Sequence, residues 1–539
     1  MSRRAESADA EAVEPLLPGG LDRDSHEGEI IFDRSRANLS HEDNGSTQRR
    51  LTYEEAVEEA GFGLFHRLLL VACGWANASD AVEILCVSFL LPTARCDLLL
   101  SSSDMGLLTA SIFLGMMVGG YLWGYLADQR GRRQVLVMSL TVNGVFGGLA
   151  SVAPWFWLFL LLRFISGVGV GGSIPVIFSY FSEFLPRLRR GAMISALATF
   201  WMGGNILAAG LAWLVIPRTW ALGGLTLQSW RVFVALCSIP SLTSALLFRL
   251  LLPESPKFLM EAGREAEALH VFRLMFELNQ RDKNRRFPVF SLCTGSMPGR
   301  ESWVNQSWTS CWQRTSSLCK AGLAPVRQMF TSPLRTRSVA LLVVFYCISF
   351  GYYGLWMWFP ELFNRVEDGG APCSNVSLSL PVHNNSCNPV KTAVYMEGFV
   401  VAASNLPGNI FTILLMDSIG GRTLLCCSLV VSGISVFFIY MVQSKAQSLL
   451  LFCVFGSISV IAWNALDVVG TELYPTHLRS SALGFFTGVG RVAAIMGNVV
   501  FGRLVDTECA VPILLVSALL LIGGLAARLL PQTRQTELT

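Results

Sequence analysis

Charged residues are scarce in this chain. Asp, Glu, Lys and Arg make up 15% of its 539 residues and hydrophobic residues make up 52%, whereas about a quarter of an ordinary soluble domain is charged. This composition argues against a soluble globular protein and favours a protein built for lipid. The net charge of +3 is small and gives no reason to expect a nucleic-acid partner.

The motifs of enzymes and metal sites are missing as well. The chain has six histidines, and we find no Ser-His-Asp set, HExxH pattern or P-loop. The 14 cysteines lack metal-ligand spacing and mostly lie in apolar runs, where they behave as small hydrophobic residues. Residues 167–172 match GxGxxG but lie inside an apolar run, so they predict close helix packing. We expect neither an enzyme nor a metal or other cofactor.

Long apolar runs are what the chain has instead. Twelve of them reach about 20 residues, the length of a helix that crosses a bilayer. They fall at roughly 66–91, 105–127, 134–153, 155–181, 191–216 and 231–252, and again at 338–360, 392–416, 423–442, 447–471, 480–502 and 510–530. The sequence therefore predicts an all-α membrane protein with twelve transmembrane helices, six in each half.

Arginines mark alternate loops between the runs. The loops at 130–133 and 187–190 each hold three arginines, whereas loops on the other side carry isolated charges. Since basic loops stay in the cytosol, we expect these loops and both termini to be cytosolic.

The chain divides into five predicted segments. They are a disordered cytosolic tail (1–60), a six-helix bundle (61–252), a cytosolic linker that begins with an amphipathic helix (253–337), a second bundle (338–530) and a short tail (531–539). The linker either covers the bundle from below or acts as a passive tether.

The second bundle contains a predicted outer loop at 362–391. Asn375 and Asn384 begin glycosylation sequons there. Cys373 and Cys387 share this loop, and we predict a disulfide between them because the compartment is oxidising.

Two short segments of the first half recur in the second half. Asp128 and Arg133 correspond to Asp417 and Arg422 at a spacing of 289 residues. A further segment, SEFLPRLRRG, recurs at the same spacing as TELYPTHLRS. Such echoes indicate a duplicated six-helix unit, so the two bundles should be pseudo-symmetric. We interpret the charged residues of these segments as a cytosolic latch that gates the protein: Asp128, Arg132, Arg133, Glu183, Arg190, Asp417, Arg422, Glu472 and Arg479.

These motifs resemble those of the major facilitator superfamily. The loop GYLADQRGRR is similar to its signature loop, LRFISGVG to its motif in the fourth helix, and PESPKFL to a motif of sugar and organic-ion porters. Within the superfamily, DAVE at 80–83, GYYGL at 351–355 and AWNALDVVGTELY at 462–474 resemble the synaptic vesicle glycoprotein 2 group. That group has a long luminal repeat domain where this chain has about 30 residues, so the roles of that domain are not carried over.

Two acids in the first run are candidates for ion coupling. Asn77, Asp80 and Glu83 are spaced three residues apart and fan over one side of a helix. Acids at mid-bilayer are costly, so we predict a proton or cation site that faces the central cavity, tuned by Arg163. The alternative is a buried structural pair neutralised by an arginine.

A second set of residues is a candidate for solute binding. Trp463 and Asp467 are four residues apart and share a helix face. An aromatic wall beside an acid suits an organic or cationic ligand, and the resemblance implies that Trp201, Tyr352 and Tyr353 line the same pocket. Asn77 and Arg491, a lone cation in the eleventh run, complete the predicted set. Alternatively, Trp463 is ordinary packing and Asp467 belongs to a charge network with Arg479.

Two functions follow from the resemblance and the acids. One is a secondary transporter that moves a small organic solute by alternating access, coupled to protons or cations, in a synaptic or secretory vesicle membrane. The alternative is a non-transporting vesicle protein that regulates exocytosis through trafficking partners. We expect a monomer in lipid, with the plasma membrane as the other candidate location.

Overall fold

The computed structural model describes residues 49–222, 225–280, 290–292, 326–369, 390–442, 444–474 and 476–531. The helices of the first half are α1 (Tyr53–Ala60), α2 (Leu64–Asp97), α3 (Ser102–Arg130), α4 (Arg132–Ala150), α5 (Phe156–Ser182), α6 (Arg187–Val215), α7 (Ser229–Leu250), α8 (Pro256–Glu261) and α9 (Glu265–Asn279). Those of the second half are α10 (Arg335–Gly369), α11 (Thr392–Ile419), α12 (Gly421–Met441), α13 (Lys445–Glu472), α14 (Thr476–Leu504) and α15 (Ala510–Ala527).

The long helices form two bundles of six, α2–α7 and α10–α15, which confirms the predicted all-α membrane fold. In the described part of the chain, ten helices are long and apolar enough by themselves to cross a membrane. The other two long helices, α4 and α11, pack within the bundles as the third and eighth of the series. Two pairs of three-residue strands accompany the helices: β1 (Arg49–Leu51) with β4 (Phe290–Leu292), and β2 (Trp220–Leu222) with β3 (Leu225–Leu227).

The contacts between the bundles reflect the sequence repeat. The second helix of the first bundle, α3, packs on the fifth helix of the second bundle, α14. The reciprocal pair, α11 and α6, packs in the same way. A pseudo-two-fold axis exchanges these two interfaces, as expected for a duplicated unit.

Glycines allow the helices of the first bundle to approach closely. A side chain on Gly115 or Gly119 of α3 would collide with the backbone of α5, and one on Gly171 of α5 would collide with the backbone of α3. On another face of α5, Gly169 lies against α4. The GxGxxG match is therefore a packing motif, as predicted from its place in an apolar run.

A small substructure covers the end of the first bundle that is predicted to be cytosolic. The β1 strand, α1, α8 and α9 pack there around the start of α2, and Asn279 of α9 donates hydrogen bonds to the carbonyls of Ala60 and Gly61. Residues 49–60, the end of the predicted disordered tail, are ordered in the structure. Burial of Ala56, Val57 and Ala60 on α9 and α2 orders this segment.

The seventh long helix, α10, extends beyond its predicted apolar run. It continues past Pro360 to Gly369, so the loop expected from residue 362 begins only after the helix ends. Glu361 and Arg365 form ion pairs on these added turns, which explains why a polar segment stays helical. The predicted glycosylation sites Asn375 and Asn384 and the predicted pair Cys373–Cys387 lie outside the described residues. Sequence reasoning missed Cys96 and Cys509, which are disulfide-bonded.

Candidate functional site

The acids of α2 lie in a fully buried polar cluster inside the first bundle. Glu83 accepts a hydrogen bond of 2.5 Å from Nη1 of Arg163 and one of 2.9 Å from the Ser166 hydroxyl. Arg163 also donates to the Glu83 carbonyl at 2.8 Å. Gly147 of α4 leaves space for this carboxylate, since a Cβ there would lie 2.5 Å from Oε1. Glu83 and Arg163 therefore form a buried ion pair between α2 and α5.

Asp80 has a different environment one turn away. The hydroxyl of Ser173 donates to its Oδ2 at 2.6 Å, and the Asn143 amide donates to its Oδ1 at 3.2 Å. Asn143 reaches α7 as well, through a 3.0 Å bond to Ser241. Across the described segments, no basic side chain pairs with Asp80. Its carboxyl group thus has neutral donors only, whereas Glu83 has a cation.

The position of the cluster corrects one expectation. Asp80 and Glu83 were predicted to face the central cavity between the bundles, but their hydrogen-bond partners come from α4 and α5, and both acids are 0% exposed. Asn77, predicted to bind substrate, is also buried and donates to the Leu197 carbonyl of α6 at 3.2 Å. The acids point into the first bundle because its helices supply the hydrogen-bond donors that a buried carboxyl group needs.

Four polar side chains of the cluster were not identified from the sequence. They are Asn143, Ser166, Ser173 and Ser241. Ser166 and Ser173 follow Arg163 at spacings of three and ten residues, which place all three on one side of α5. Polar residues at helical spacing in an apolar span were the signal that could have found them.

The predicted aromatic residues of the second bundle come together as a wall. The Trp463 ring lies 6.1 Å from that of Tyr352 and 5.8 Å from that of Tyr353. Trp356 stacks on Tyr352 at 5.4 Å and extends the wall. Tyr353 also contacts Phe113 of the first bundle at 5.0 Å, so the wall stands where the bundles meet.

Charged and polar groups lie next to this wall. The Arg491 guanidinium is 5.8 Å from the centre of the Tyr353 ring, within the range of a cation–π contact. Asp467, one helical turn from Trp463, is exposed. The indole nitrogen of Trp463 and the amide group of Asn405 are buried, and neither finds a hydrogen-bond partner in the described part of the protein. Buried donors of this kind are suited to a polar ligand.

Other polar residues connect the bundles beside the predicted pocket. Asn464 of α13 donates to Asn409 of α11 at 2.8 Å, and Asn409 donates to Thr199 of α6 at 3.3 Å. Trp201, on the same helix as Thr199, is half-buried against the core. In the described part of the chain, no contact joins the aromatic wall to Asp80 or Glu83.

Ion pairs close the opposite end of the interface, which is predicted to face outward. Arg95 of α2 binds Glu361 of α10 at 3.0 Å, and Glu361 binds Arg365 at 3.2 Å. Arg365 in turn binds Asp506 at 2.6 Å. Below them, the Ser88 hydroxyl donates to the Met357 carbonyl at 2.9 Å. The Arg95–Glu361 and Ser88–Met357 contacts hold the two bundles together at this end.

Two of the predicted gate residues, Arg133 and Arg422, each contact the last helix of their own bundle. Arg133 donates to the Phe248 carbonyl at the end of α7, and Arg422 donates to the Arg528 carbonyl at the end of α15. These two arginines, equivalent in the repeat, thus cap the last helix of their own bundle. The carbonyl groups at the end of a helix attract a cation, so each arginine stabilises the end of that helix.

Among the acids of the predicted latch, Glu183 is the one whose side chain the structure describes. It binds Arg132 at 3.3 Å and accepts from the Ser255 hydroxyl. Burial raises the pKa of its carboxyl group, while Ser255 and Arg132 oppose that rise. Arg190 lies 3.6 Å from Glu54. The side chains of Asp128, Asp417, Glu472 and Arg479 are outside the described set.

Comparisons with known proteins agree with this architecture. The sequence model of the Major Facilitator Superfamily matches residues 73–497, and the chain belongs to that superfamily, which points to a transporter rather than to an enzyme. The fold is similar to that of the xylose transporter XylE from E. coli in its partially occluded inward-open conformation, with a TM-score of 0.63 and 16% identity over 90% of this chain and 100% of that one.

Within the superfamily, the chain falls in the synaptic vesicle glycoprotein 2 group. It is 32% identical to synaptic vesicle glycoprotein 2C of Rattus norvegicus, over 89% of this chain and 80% of the relative. It is also 32% identical to synaptic vesicle glycoprotein 2B of Homo sapiens, over 90% of this chain and 86% of the relative. The predicted resemblance is confirmed.

Proposed function

We propose that the protein is a secondary active transporter of a small organic solute in a vesicle membrane, coupled to protons through Asp80. The observation that carries this proposal is the unequal environment of two buried acids on one helix. Glu83 has a cation within 2.5 Å, whereas Asp80 has only a hydroxyl and an amide. A buried carboxyl group without a cation is most stable when it carries a proton.

Proton coupling follows from how such a group responds to water. When Asp80 is sealed in the bundle, it holds its proton. When a change of conformation admits water to Asp80, the charged form is solvated and the proton leaves. The Glu83–Arg163 pair keeps α2 in register with α5 and acts as a positioning pair, since its charges already neutralise each other.

The solute would bind at the aromatic wall in the second bundle. Tyr352, Tyr353 and Trp463 offer ring faces, and the Trp463 indole supplies a buried donor. Asp467 and Arg491 offer one charge of each sign. This chemistry suits an organic molecule with a planar or cationic part and a polar group.

Alternating access would use the ion pairs at the predicted outer end. The present conformation is closed there through Arg95, Glu361 and Arg365. When the bundles separate at this end, the Arg95–Glu361 contact breaks and water solvates both side chains. Arg365 remains paired with Glu361, because both residues belong to α10. Rocking of one bundle against the other around a midplane site is the usual mechanism of such repeats.

The test is solute flux in proteoliposomes with an imposed pH gradient. A panel of small organic solutes, chosen by metabolite profiling of vesicles with and without the protein, is offered to wild type and to Asp80→Asn. We expect the pH gradient to drive accumulation in wild type, and Asp80→Asn to exchange solute without that drive. Background flux across the whole panel with correctly inserted protein would reject transport and favour the non-transporting regulator.

A further inference from the structure

A groove separates the ends of the first and last helices of the second bundle. It is lined by Arg335, Thr336, Val339 and Val343 of α10, and by Ala526 and Leu529 at the end of α15. Its volume is about 460 Å³, within the range of roughly 300–1,000 Å³ that small-molecule sites occupy. The transport site described above uses none of these residues.

The lining changes from polar to apolar along the helix axis. Arg335 and Thr336 stand at the start of α10 and are exposed. Val339 and Val343 follow one and two turns further on, so the polar mouth and the apolar floor lie within about 12 Å along the axis. Leu529 is 66% exposed and Val339 45% exposed. At the end of a membrane span, such apolar surfaces face acyl chains.

This gradient matches that of a lipid at the membrane surface. We propose that the groove binds one phospholipid with an anionic headgroup, its phosphate against Arg335 and the first part of an acyl chain between α10 and α15. The phosphate would also lie at the N-terminus of a 35-residue helix, where the helix dipole favours an anion. Basic pockets between helices at a membrane surface bind such headgroups.

The charge around the groove favours an anionic lipid over a zwitterionic one. Arg335, Arg337 and Arg528 are all exposed at this end of the second bundle, and their combined field attracts a net negative headgroup. Arg337 does not line the groove. It therefore contributes to the general field and makes no direct contact, which makes it a matched control.

The test measures the lipid that full-length protein retains. Protein in nanodiscs of phosphatidylcholine with phosphatidylserine is extracted into detergent, and bound lipid is counted by native mass spectrometry. We expect wild type to keep one phosphatidylserine. Arg335→Gln should retain at least about tenfold less, since a direct charge-assisted hydrogen bond to the phosphate is lost. Arg337→Gln should stay within about fivefold of wild type, the factor that one surface charge contributes to the general field.

A second pair of variants tests the apolar floor. Ala526→Trp fills the groove and should abolish retention, while Leu525→Trp, at a neighbouring position that is 60% exposed and outside the groove, should not. Equal loss in Arg335→Gln and Arg337→Gln would reduce the effect to a diffuse field and overturn the site. Three other results would also overturn the site. They are equal retention of phosphatidylcholine, displacement of the lipid by soluble inorganic phosphate, and unchanged retention in Ala526→Trp.

Discussion

One pair of substitutions tests the division of roles between the two buried acids. Asp80→Asn and Glu83→Gln both convert a carboxyl group into an amide of the same shape, three residues apart on one helix. Glu83→Gln leaves the Arg163 guanidinium, which is 0% exposed, without a counter-charge. Removing one partner of a buried ion pair costs about 3–5 kcal/mol of folding free energy.

Asp80→Asn should have a different effect on stability. Asn143 can still donate to the oxygen of the new amide, and the Ser173 hydroxyl can accept from its nitrogen while donating to the Val170 carbonyl, now 3.1 Å away. No charge is left unpaired, so we expect unchanged or higher stability together with loss of the pH-driven flux.

Thermal unfolding of both variants in the same detergent measures the difference. The double variant Glu83→Gln/Arg163→Met should recover most of the stability that Glu83→Gln loses, because the unpaired charge is gone. If Asp80→Asn destabilises the protein as much as Glu83→Gln, or if the two changes in the double variant simply add, the assignment of the ion pair is wrong.

Three further predictions concern other parts of the protein. Arg95→Gln removes the charged contact to Glu361 and should shift the protein toward a state open at the predicted outer end, detected as faster labelling of Ser88→Cys from that side. Trp463→Ala should weaken solute affinity at least about tenfold, since a ring contact and a buried donor are lost. Glu183→Gln should gain stability relative to wild type as the pH rises. The folded protein holds the Glu183 proton more tightly than the unfolded chain does, because burial raises the pKa of this carboxyl group. The stability that this proton provides is therefore present at low pH and is lost as the pH rises from the ordinary pKa to the raised pKa.

Controls for these predictions come from the same chain. Arg231→Gln breaks a comparably exposed ion pair with Asp97 inside the first bundle and should leave Ser88→Cys labelling unchanged. Trp213→Ala removes a tryptophan whose ring packs against Phe399, and the solute affinity of this variant should stay at the wild-type level. Glu267→Gln breaks an exposed ion pair with Arg264 and should leave the stability close to that of wild type. Equal effects in variant and control would contradict each prediction.

The amino-acid sequence by itself determined the membrane class, the helix count, the duplication and the family. Hydrophobic runs and loop charges are local properties, and insertion into lipid depends on them before tertiary contacts form. The aromatic residues Tyr352, Tyr353 and Trp463 were also predicted to lie together, and their rings are neighbours in the structure.

Only the tertiary structure decided which way the polar side chains point. The spacing of Asn77, Asp80 and Glu83 places them on one side of α2 but does not say whether that side meets the other bundle or its own. The donors Asn143, Ser166 and Ser173 lie on α4 and α5, far away in sequence, and they draw the acids into the first bundle. In the same way, Arg133 and Arg422 bind the last helix of their own bundle through backbone carbonyls that no side-chain pattern reveals. A buried polar group needs a partner in three dimensions, and the choice among partners is made by packing.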